Sequence, residues 1–446
     1  MLPPAEAPMH STFLTELHWR GLIADVTTPD ELDAHLARPD TDRRTVYVGF
    51  DPTADSLHVG SLVPLLALRR VQLAGHRPLV LVGGGTGLIG DPSGRAGERF
   101  LNPKEQVAQW AERLKRQVQR FLDFEAGPCA AVLEDNYRWL GRLDVISFLR
   151  DVGKHFPVGA MLARESVRSR MGRGDAGISY TEFSYQVLQA YDFMALLQSH
   201  DCTVQLGGSD QWGNITAGTD LIRRVHARDA YGLTLPLITK TDGTKFGKTE
   251  TGTVWLDADR TSAYEMYQFW LNTADADVVR FLKFFTFLDA ERIEGLAHAT
   301  GTAPEKREAQ RVLAREVTRL VHGADALAEA EAISAALFRG DVATLNEAQL
   351  EQAFRGVPTT ALPGADTDSI ALTDLLVKVG LADSKRNARE LLVGGAIHLN
   401  GRRVSEPQAS VSRGSALFGR YLVLRKGRRS YHVVTVAGRD KKSRDT

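Results

Sequence analysis

The chain has 446 residues, of which 43% are hydrophobic and 25% are charged, and its formal net charge is zero. A chain of this length supports more than one hydrophobic core, so about two to four domains are expected. No apolar run approaches the roughly 20 residues of a membrane-spanning helix, and residues 1–8 lack the features of a secretory signal. The two cysteines, Cys129 and Cys202, match neither a metal-ligand spacing nor a disulfide framework. A soluble cytoplasmic protein that holds no metal of its own is therefore the expectation.

The zero net charge hides an uneven distribution along the chain. Residues 370–446 contain 16 basic and 6 acidic residues, a net charge of +10, and the remainder carries −10. Such asymmetry favours an anionic partner for the C-terminal end, and nucleic acid is the partner that it suggests first. The alternative is a solvated basic end that serves solubility only.

The first distinct unit is a strand followed by a helix within Tyr47–Ser61. A β-like run ending at Val48 is broken by Gly49 and Pro52, and an apolar helical pattern follows. The turn places a lone imidazole, His58, near a helix start, where free N–H groups and the helix dipole favour an anion such as a phosphate. Many such turns bind nothing, so this pattern needs support from the rest of the chain.

A glycine-rich segment comes directly after the next strand, Arg77–Val82, whose continuous apolar run is typical of a buried parallel sheet. Gly85–Gly90 matches the G-x-G-x-x-G fingerprint and, taken alone, proposes a nicotinamide or flavin enzyme. Two features argue against that alternative. Asp91 and Pro92 follow as a helix start or a turn, and no strand ending in an acidic residue occurs at the required distance.

Basic loops and helices follow. Arg95 and Arg99 lie in a basic loop, where they could reach phosphates. Residues 104–170 are predicted to be mainly helical, with one strand near residues 130–133. A second basic stretch, Arg164–Arg173, fits either a nucleic-acid contact or a solvated loop.

The predicted helix Thr181–Met194 has an unusual polar face. Tyr185, Gln189 and Asp192 are spaced so that they share one side of the helix. Their hydroxyl, amide and carboxylate groups suit a small polar zwitterion, and the alternative is an exposed polar face.

Two more loops follow predicted strands. Gly207–Asn214 is rich in glycine and contains Asp210, which could hydrogen-bond a ribose. A fourth short strand is predicted to end at residues 237–238. Beyond it, Lys245 and Lys248 lie in a glycine-flanked loop that is not a Walker loop and could close over a leaving pyrophosphate.

The C-terminal half is predicted to be helical over residues 255–345, with capping boxes that begin at Ser262 and Thr302. Residues 357–369 have the composition of a linker. The last module is predicted to contain two helices, the second capped by Ser384, then a hairpin with an Asn400–Gly401 turn and two further strands. A basic module of this kind fits RNA recognised by shape and phosphate contacts.

Four of these elements in this order are far more specific than any one of them: the His58 turn, Gly207–Asn214, Lys245–Thr249 and the basic C-terminal module. Together they resemble the bacterial tyrosyl-tRNA synthetases, a family of class I aminoacyl-tRNA synthetases, over nearly the whole chain. His-Val-Gly-Ser at 58–61 resembles the class I His-Ile-Gly-His signature, and residues 245–249 resemble the Lys-Met-Ser-Lys-Ser loop.

The resemblance implies an α/β fold, with a Rossmann-type parallel-sheet catalytic domain followed by an α-helical domain and a small α+β RNA-binding domain. The expected divisions are 1–240 for the catalytic domain with a helical insertion at about 120–180, 241–252 for the mobile lysine loop, 253–350 for a helical domain on the anticodon side of the tRNA, 351–369 for a linker, 370–436 for the RNA-binding domain and 437–446 for a basic tail.

The resemblance also implies a reaction and its residues. L-tyrosine would react with ATP to give tyrosyl-adenylate and pyrophosphate, and tyrosine would then pass to the 3′ end of tRNA(Tyr). The implied tyrosine-binding residues are Tyr47, Asp91, Tyr185, Gln189, Asp192 and Gln211. The implied ATP-binding residues are Gly49, Asp51, Thr53, His58, Ser61, Gly208, Asp210, Lys245 and Lys248. The implied catalytic residues are His58, Thr53, Lys245, Lys248 and Arg95, with Arg99 beside the phosphates. The implied RNA-binding residues are Lys385, Arg386, Arg389, Arg402 and Arg403.

ATP with Mg2+ is thus an expected substrate, no tightly bound cofactor is expected, and a homodimer is implied by the resemblance only. One position departs from the family, because Ser61 stands at the second signature histidine, and ATP affinity is the property this should affect. The alternatives are an RNA-binding protein on a synthetase scaffold that has lost catalysis, and a tryptophan enzyme, which the polar end of the pocket disfavours.

Overall fold

The structure is a computed structural model that describes residues 9–93, 101–164, 167–168, 177–241, 246–249, 252–362, 369–427 and 430–436. Residue contacts divide the chain into two compact units. The N-terminal unit comprises residues 1–261 and 273–321, and the C-terminal unit comprises residues 262–272 and 322–446.

The α-helices of the described residues are numbered in chain order. They are α1 Thr12–Arg20, α2 Pro29–His35, α3 Leu62–Leu73, α4 Lys104–Val118, α5 Tyr137–Leu140, α6 Val145–Asp151, α7 Val158–Leu162, α8 Tyr180–His200, α9 Trp212–His226, α10 Ala263–Leu271, α11 Asp275–Phe285, α12 Ala290–Thr302, α13 Glu308–His322, α14 Ala324–Arg339, α15 Glu347–Ala353, α16 Leu372–Lys378 and α17 Lys385–Val393. Among these helices, none combines the length and the apolar character that crossing a bilayer requires.

The N-terminal unit is built on a six-stranded sheet with the spatial order β1-β6-β5-β2-β3-β4. All neighbours run parallel except β1, which pairs antiparallel with β6. The strand order changes direction between β2 and β5, and ligands of such sheets bind beyond the carboxyl ends of the strands at that point. The strands are β1 Asp25–Val26, β2 Thr45–Phe50, β3 Arg77–Val82, β4 Val132–Asp135, β5 Cys202–Gly208 and β6 Tyr231–Leu235.

A short 3-10 turn follows each of three strands at this edge. Val59–Ser61 lies after β2, Thr86–Leu88 after β3 and Ser209–Gln211 directly after β5. The strand-to-helix turn predicted around His58 is therefore confirmed, since α3 begins at Leu62. The fingerprint segment forms only the isolated turn Thr86–Leu88 and does not open the long helix that a dinucleotide site requires.

The sheet and the helices on it share a core that places the site. Phe193 of α8 and Leu221 of α9 are buried against residues of the sheet such as Leu79 and Cys202. Burying a side chain as large as Phe193 contributes about 2–3 kcal/mol. This packing fixes the rotation of α8 about its axis, and hence which of its residues face the carboxyl edge.

The C-terminal unit contains a five-stranded sheet with the order β12-β11-β14-β15-β9, and α16 and α17 share a buried core with it. A separate two-stranded pair is formed by β10 and β13, and β7 and β8 form a two-stranded hairpin in the N-terminal unit. The remaining strands are β7 Lys248–Thr249, β8 Gly252–Thr253, β9 Thr359–Leu362, β10 Ile370–Ala371, β11 Ile397–Leu399, β12 Arg402–Val404, β13 Ser410–Val411, β14 Tyr421–Lys426 and β15 Ser430–Val436.

The structure confirms the predicted fold class and some, but not all, of the predicted local features. Ser262 and Glu265 form the predicted capping box at the start of α10. The box predicted at Thr302 is wrong, because Thr302 ends α12 and its hydroxyl donates to the carbonyl of His298 at 2.9 Å. The strand predicted near residues 130–133 begins two residues later, as β4.

Two further segments differ from the sequence prediction. The strand predicted to end at residues 237–238 is β6. It ends earlier, at Leu235, because Pro236 has no N–H to extend the ladder. Thr359–Leu362, inside the predicted linker, pairs in parallel with β15. The helices between residues 263 and 353 are shared between the two units, and the domain boundaries drawn from the sequence stay a prediction.

The predicted hairpin of the C-terminal unit is confirmed by its turn geometry. Asn400 and Gly401 have φ angles of +49° and +87°, as a two-residue hairpin turn requires. The Asn400 amide also joins two neighbouring segments, because it donates to the carbonyl of Ser415 at 2.7 Å and accepts from the N–H of Val423 at 2.8 Å.

Gly401→Ala is expected to destabilise the C-terminal unit by at least ~2 kcal/mol, because strain at positive φ adds to a steric clash. A Cβ at Gly401 would overlap the carbonyl oxygen of Gly340, and so the hairpin would have to move. Gly427→Ala is the matched control, because its φ is +64° and, among the described residues apart from its chain neighbours, no atom lies within 4 Å of the added Cβ. Urea unfolding of both full-length variants measures the difference, and equal losses would contradict the packing argument.

Candidate active site

A cavity of about 700 Å³ opens at the carboxyl edge of the parallel sheet. Twelve residues predicted from the sequence line it: Tyr47, Gly49, Asp51, His58, Ser61, Asp91, Tyr185, Gln189, Asp192, Gly208, Asp210 and Gln211. Thr53 is exposed and is not among the lining residues. Arg95, Arg99 and Lys245 lie outside the described residues, and for Lys248 only the backbone in β7 is described.

The closed end of the cavity is formed by Tyr47 and Asp192, whose residues are only 1% and 2% exposed. Tyr47 projects from β2 and packs against Phe193, with 5.3 Å between the ring centroids. Its hydroxyl is buried and has no hydrogen-bond partner among the described residues. Burial, together with the nearby Asp192 carboxyl, raises the pKa of the Tyr47 phenol well above its ordinary value.

Two donors hold the Asp192 carboxyl in place. Its Oδ1 accepts from Trp139 Nε1 at 2.7 Å, and its Oδ2 accepts from Asn136 Nδ2 at 2.8 Å. Burial raises the pKa of Asp192 to about 8, although these two hydrogen bonds act in the opposite direction. The orientation of the carboxyl is therefore fixed by residues at the end of β4 and in α5.

A chain of hydrogen bonds connects Asp192 to the middle of the cavity. Asn136 Nδ2 also donates to Thr86 Oγ1 at 2.9 Å, and Thr86 Oγ1 donates to Asp51 Oδ1 at 2.7 Å. Tyr185 OH donates to Asp51 Oδ2 at 2.7 Å. Asp51, which the resemblance assigns to the ATP side, is thus hydrogen-bonded to a residue that it assigns to the amino acid.

A second polar group lies across the cavity at the start of α9. Gln211 Nε2 donates to Asp91 Oδ2 at 2.7 Å, and Asn214 Nδ2 donates to Gln189 Oε1 at 3.1 Å. Asn214 Nδ2 also lies 3.2 Å from Gln211 Oε1, so the two glutamines share one donor. The amides and carboxylates predicted from separate stretches of sequence are therefore brought together.

His58 lies at the more open end of the cavity. Its Nδ1 accepts from the N–H of Gly60 at 3.0 Å and so caps the 3-10 turn that precedes α3. Loss of contact with water lowers the pKa of the His58 imidazole below its ordinary value. A neutral ring with one nitrogen used as an acceptor leaves the other nitrogen as a donor.

The His58 turn is bonded to the segment that follows the lysine loop. Val59 N–H donates to the carbonyl of Val254 at 3.0 Å, and Leu256 N–H donates to the carbonyl of Leu57 at 2.8 Å. The His58 and Trp255 rings pack edge to face, with 6.3 Å between their centroids. Residues 254–256, which follow the lysine loop, are therefore hydrogen-bonded directly to the turn that contains the signature histidine.

The described wall of the cavity is acidic. Asp51, Asp91, Asp192 and Asp210 line it, and no lysine or arginine does so among the described residues. Burial raises the pKa of Asp210 as well. Ser93 and Phe246, which adjoin the segments that contain Arg95, Arg99 and Lys245, also line the wall.

Asn136, Trp139 and Thr86 are site residues that the sequence interpretation missed. Placing β4 two residues too early hid the fact that Asn136 follows a parallel strand at the same edge as the other loops. Within the described part of the chain, no group of three or more His, Cys, Asp or Glu side chains is arranged to hold a metal ion.

A doubly wound parallel sheet with its cavity at the switch point, a histidine capping the first helix turn and a lysine loop tied to that turn define a class I aminoacyl-tRNA synthetase fold. Comparisons with known proteins agree. The family described as tRNA synthetases class I (W and Y) matches residues 39–339, and the one described as the tyrosine–tRNA ligase SYY-like C-terminal domain matches residues 349–434.

Individual relatives place the chain more narrowly. A tyrosine–tRNA ligase of Bacillus caldotenax is 55% identical over 95% of this chain and 99% of its own length. One from Desulfitobacterium hafniense (strain DSM 10664 / DCB-2) is 53% identical over 94% of this chain and 99% of its own. The solved structure of a C-terminally truncated Aspergillus nidulans mitochondrial tyrosyl-tRNA synthetase has a TM-score of 0.66 and 32% identity, covering 73% of this chain and 94% of that one.

The chain therefore belongs to the class I tRNA synthetases of the tryptophan and tyrosine family. The resemblance to bacterial tyrosyl-tRNA synthetases, read from four short elements, is confirmed over nearly the whole length.

The free energy of unfolding is expected to fall as pH rises from about 4 to about 8, because of Asp192. In the unfolded chain this carboxyl ionises near its ordinary value of about 4, whereas the folded state keeps the proton up to about pH 8. Between these values the folded state binds more protons, so Asp192 contributes a negative slope of up to about 1.4 kcal/mol per pH unit.

Asp192→Asn should remove that slope, and urea unfolding between pH 5 and 8 measures it. The comparison is one of slopes, because the asparagine also changes the bonds to Asn136 and Trp139. Asp220→Asn, on the exposed side of α9, is the control and should keep the slope of the unmodified chain. An unchanged slope in Asp192→Asn would refute the assignment.

Proposed function

We infer that this chain activates L-tyrosine with ATP, forming tyrosyl-adenylate and pyrophosphate, and then transfers the tyrosyl group to the 3′ end of tRNA(Tyr). The names of its relatives support the reaction, and the buried pair Tyr47 and Asp192 supports the amino acid. A phenol entering the closed end would meet one hydroxyl and one carboxyl that are otherwise sealed from water. An indole has no hydroxyl at that position, so tryptophan would leave the buried Tyr47 hydroxyl without a partner, which costs binding energy.

The middle of the cavity suits the backbone atoms of the amino acid. Asp91, Tyr185 and Gln189 present oxygen atoms to an α-ammonium group, and the Gln211 amide can donate to the α-carboxylate. Asp51 supports this arrangement indirectly, because it holds the Tyr185 hydroxyl at 2.7 Å.

ATP requires cations that the described wall does not contain. A triphosphate beside the acidic side chains of this wall would be repelled unless opposite charge is supplied close to it. We assign that charge to Lys245, Lys248, Arg95 and Arg99, and to the Mg2+ that accompanies ATP. His58, Gly49, Gly208, Asp210 and Ser61 line the open end and would contact the nucleotide, while Thr53 would approach it from outside the cavity.

The chemistry then needs positioning and charge stabilisation more than proton transfer. The tyrosine carboxylate is already ionised at neutral pH, and one of its oxygens forms a bond to the α-phosphorus of ATP. The bond from that phosphorus to the bridging oxygen breaks, and pyrophosphate leaves with the electron pair. Cations that close over the phosphates stabilise the charge that develops there. In the second step the 3′-terminal ribose hydroxyl of the tRNA attacks the tyrosyl carbonyl and AMP leaves.

The basic face of the C-terminal unit is proposed to hold the tRNA. Lys385, Arg386 and Arg389 are exposed on α17, and Arg402 and Arg403 are exposed on β12. Lys385 is paired with Asp374 at 2.7 Å and Arg386 with Glu390 at 3.2 Å. Arg389 and Arg402 are the cleaner candidates for phosphate contacts, because no ion pair is seen for them among the described residues.

A homodimer is proposed from an exposed apolar surface on α6 and α7. Surface of this kind on a folded chain indicates an interaction site. Phe148 of α6 packs edge to face against Tyr191, with 5.9 Å between the ring centroids. Tyr191 is the residue next to Asp192 in the chain. A second copy covering this surface would therefore support the tyrosine pocket from outside. The exposed residues of this apolar surface are Val145, Ile146, Leu149, Val158 and Leu162.

We place the enzyme in the cytoplasm, where translation uses its product.

Asp192→Ala is expected to relax the rejection of phenylalanine. Phenylalanine brings no hydroxyl to the buried Tyr47 and Asp192 groups, a penalty for which tyrosine-activating enzymes are the reference case. Removing the carboxyl removes about 1–3 kcal/mol of this penalty, so the tyrosine-to-phenylalanine ratio of kcat/KM should fall about 5- to 150-fold.

Amino-acid-dependent ATP–pyrophosphate exchange measures both values, with Asp220→Ala on α9 as the control. An unchanged ratio would contradict the role of Asp192. Absence of tyrosine-dependent exchange from the folded, unmodified chain would contradict the function itself, and would favour an RNA-binding protein that has lost catalysis.

The RNA contacts are best tested by substitution rather than by truncation. Deleting the residues after Ser369 would also remove Tyr421, Val423 and Val433 from a core that they share with Ile333 and Leu350. Arg389→Ala combined with Arg402→Ala should instead weaken tRNA binding while sparing tyrosine-dependent exchange. Each lost phosphate contact lowers the slope of log affinity against log salt by about 0.7–0.9.

Filter binding at several salt concentrations measures that slope. Arg339→Ala, on the exposed side of α14, is the control. An unchanged slope in the double variant would exclude these two arginines from the interface.

A further inference from the structure

A tight turn in the C-terminal unit contains a residue that suits it poorly. Leu417 and Tyr421 exchange backbone hydrogen bonds of 2.8 and 2.9 Å, and Arg420 N–H donates to the carbonyl of Leu417 at 3.0 Å. The two central residues, Phe418 and Gly419, have φ angles of +53° and +65°. Positive φ at both central positions defines a type I′ turn, in which asparagine or glycine is preferred at the first position.

Phe418 therefore carries a local cost. The left-handed conformation costs a residue with a Cβ about 1–2 kcal/mol, and bulky residues adopt it rarely. The same unit contains a turn of the same kind with the favourable residues, Asn400–Gly401. Phe418 does not regain the cost by full burial, because it is 50% exposed. Backbone strain retained at an exposed aromatic residue points to function rather than to folding.

We propose that Phe418 is a stacking surface for an unpaired base of the tRNA that this unit holds, an inference that depends on the tRNA-binding role proposed above. Proteins recognise unpaired nucleotides by stacking the base on an aromatic ring and by binding the flanking phosphates with arginine. A short loop of three residues between the bridged Leu417 and Tyr421 restricts the position of the ring, which lowers the entropy lost on binding.

The surroundings of the turn agree with a nucleic-acid ligand. Arg413 and Arg420 lie on either side of Phe418 in the sequence. Arg420 has a half-exposed side chain, 3.3 Å from Glu347 and 3.7 Å from Glu351, which fixes its direction. Asn400 bonds the carbonyl of Ser415, so this loop is tied to the hairpin whose second strand begins at Arg402. The loop that contains Phe418 and the hairpin that contains Arg402 are therefore joined by a hydrogen bond.

Phe418→Asn separates the effect of this residue on the stability of the turn from its effect on tRNA binding. Because asparagine suits the turn, the melting temperature should stay the same or rise. Because the ring is lost, the Kd for tRNA(Tyr) should rise about 5- to 100-fold. Tyrosine-dependent ATP–pyrophosphate exchange, which involves no tRNA, should be unchanged. Phe418→Trp should keep the affinity, and tRNA should quench the fluorescence of the added indole.

Two controls make the outcome decisive. Phe338→Asn removes an aromatic residue that is 93% exposed on the regular helix α14, and should leave tRNA affinity unchanged. Arg402→Ala should reduce the salt dependence of binding, whereas Phe418→Asn should not, because stacking releases no counterions. If Arg402→Ala weakens binding and Phe418→Asn does not, the stacking proposal is wrong and the RNA-binding role remains.

If neither variant changes the affinity, the RNA-binding role fails as well. A lower melting temperature for Phe418→Asn would overturn the proposal, because the phenylalanine would then serve the fold. An equal loss of affinity in Phe338→Asn would overturn it too, since the effect would not be specific to the turn.

Discussion

A buried carboxyl group needs hydrogen-bond donors, and the donors that Asp192 receives connect the parts of this site. Its two oxygens are used by Trp139 and Asn136, which follow β4. Asn136 in turn connects to Thr86 after β3, and Thr86 to Asp51 after β2. The loops of three parallel strands and the helix α8 are thus held in register by one continuous set of polar contacts. In a low-dielectric interior such a set is rigid only when each member is satisfied.

Charge is divided between the parts of the catalytic unit. The acidic groups Asp51, Asp91 and Asp210 lie at the sheet edge, and we propose that Asp91 receives the ammonium group of the amino acid. The cations expected to contact the phosphates of ATP belong to the segments around Arg95 and Lys245. We therefore propose that the amino acid is recognised by groups of the described wall, and the nucleotide in part by Arg95, Arg99, Lys245 and Lys248. Such a division keeps the pocket selective before the phosphates are engaged.

The sequence was sufficient for those parts of the site that repeat a local rule. Tyr185, Gln189 and Asp192 follow from helical spacing, and the loops after β2 and β5 follow from glycine at the end of apolar runs. Asn136 and Trp139 could not be found this way, since their partner lies more than fifty residues away and only tertiary packing brings them together. Thr302 failed for the opposite reason: its capping pattern was present, but no helix began there.

The hydrogen bonds between the His58 turn and residues 254–256 have a consequence for how this enzyme can change over evolution. His58 and Trp255, which follows the lysine loop, lie far apart in the chain, yet they share a β-bridge. A residue inserted on either side would shift the register of both at once. The lengths of the two segments are therefore coupled, and a substitution disturbs this contact less than an insertion or a deletion does.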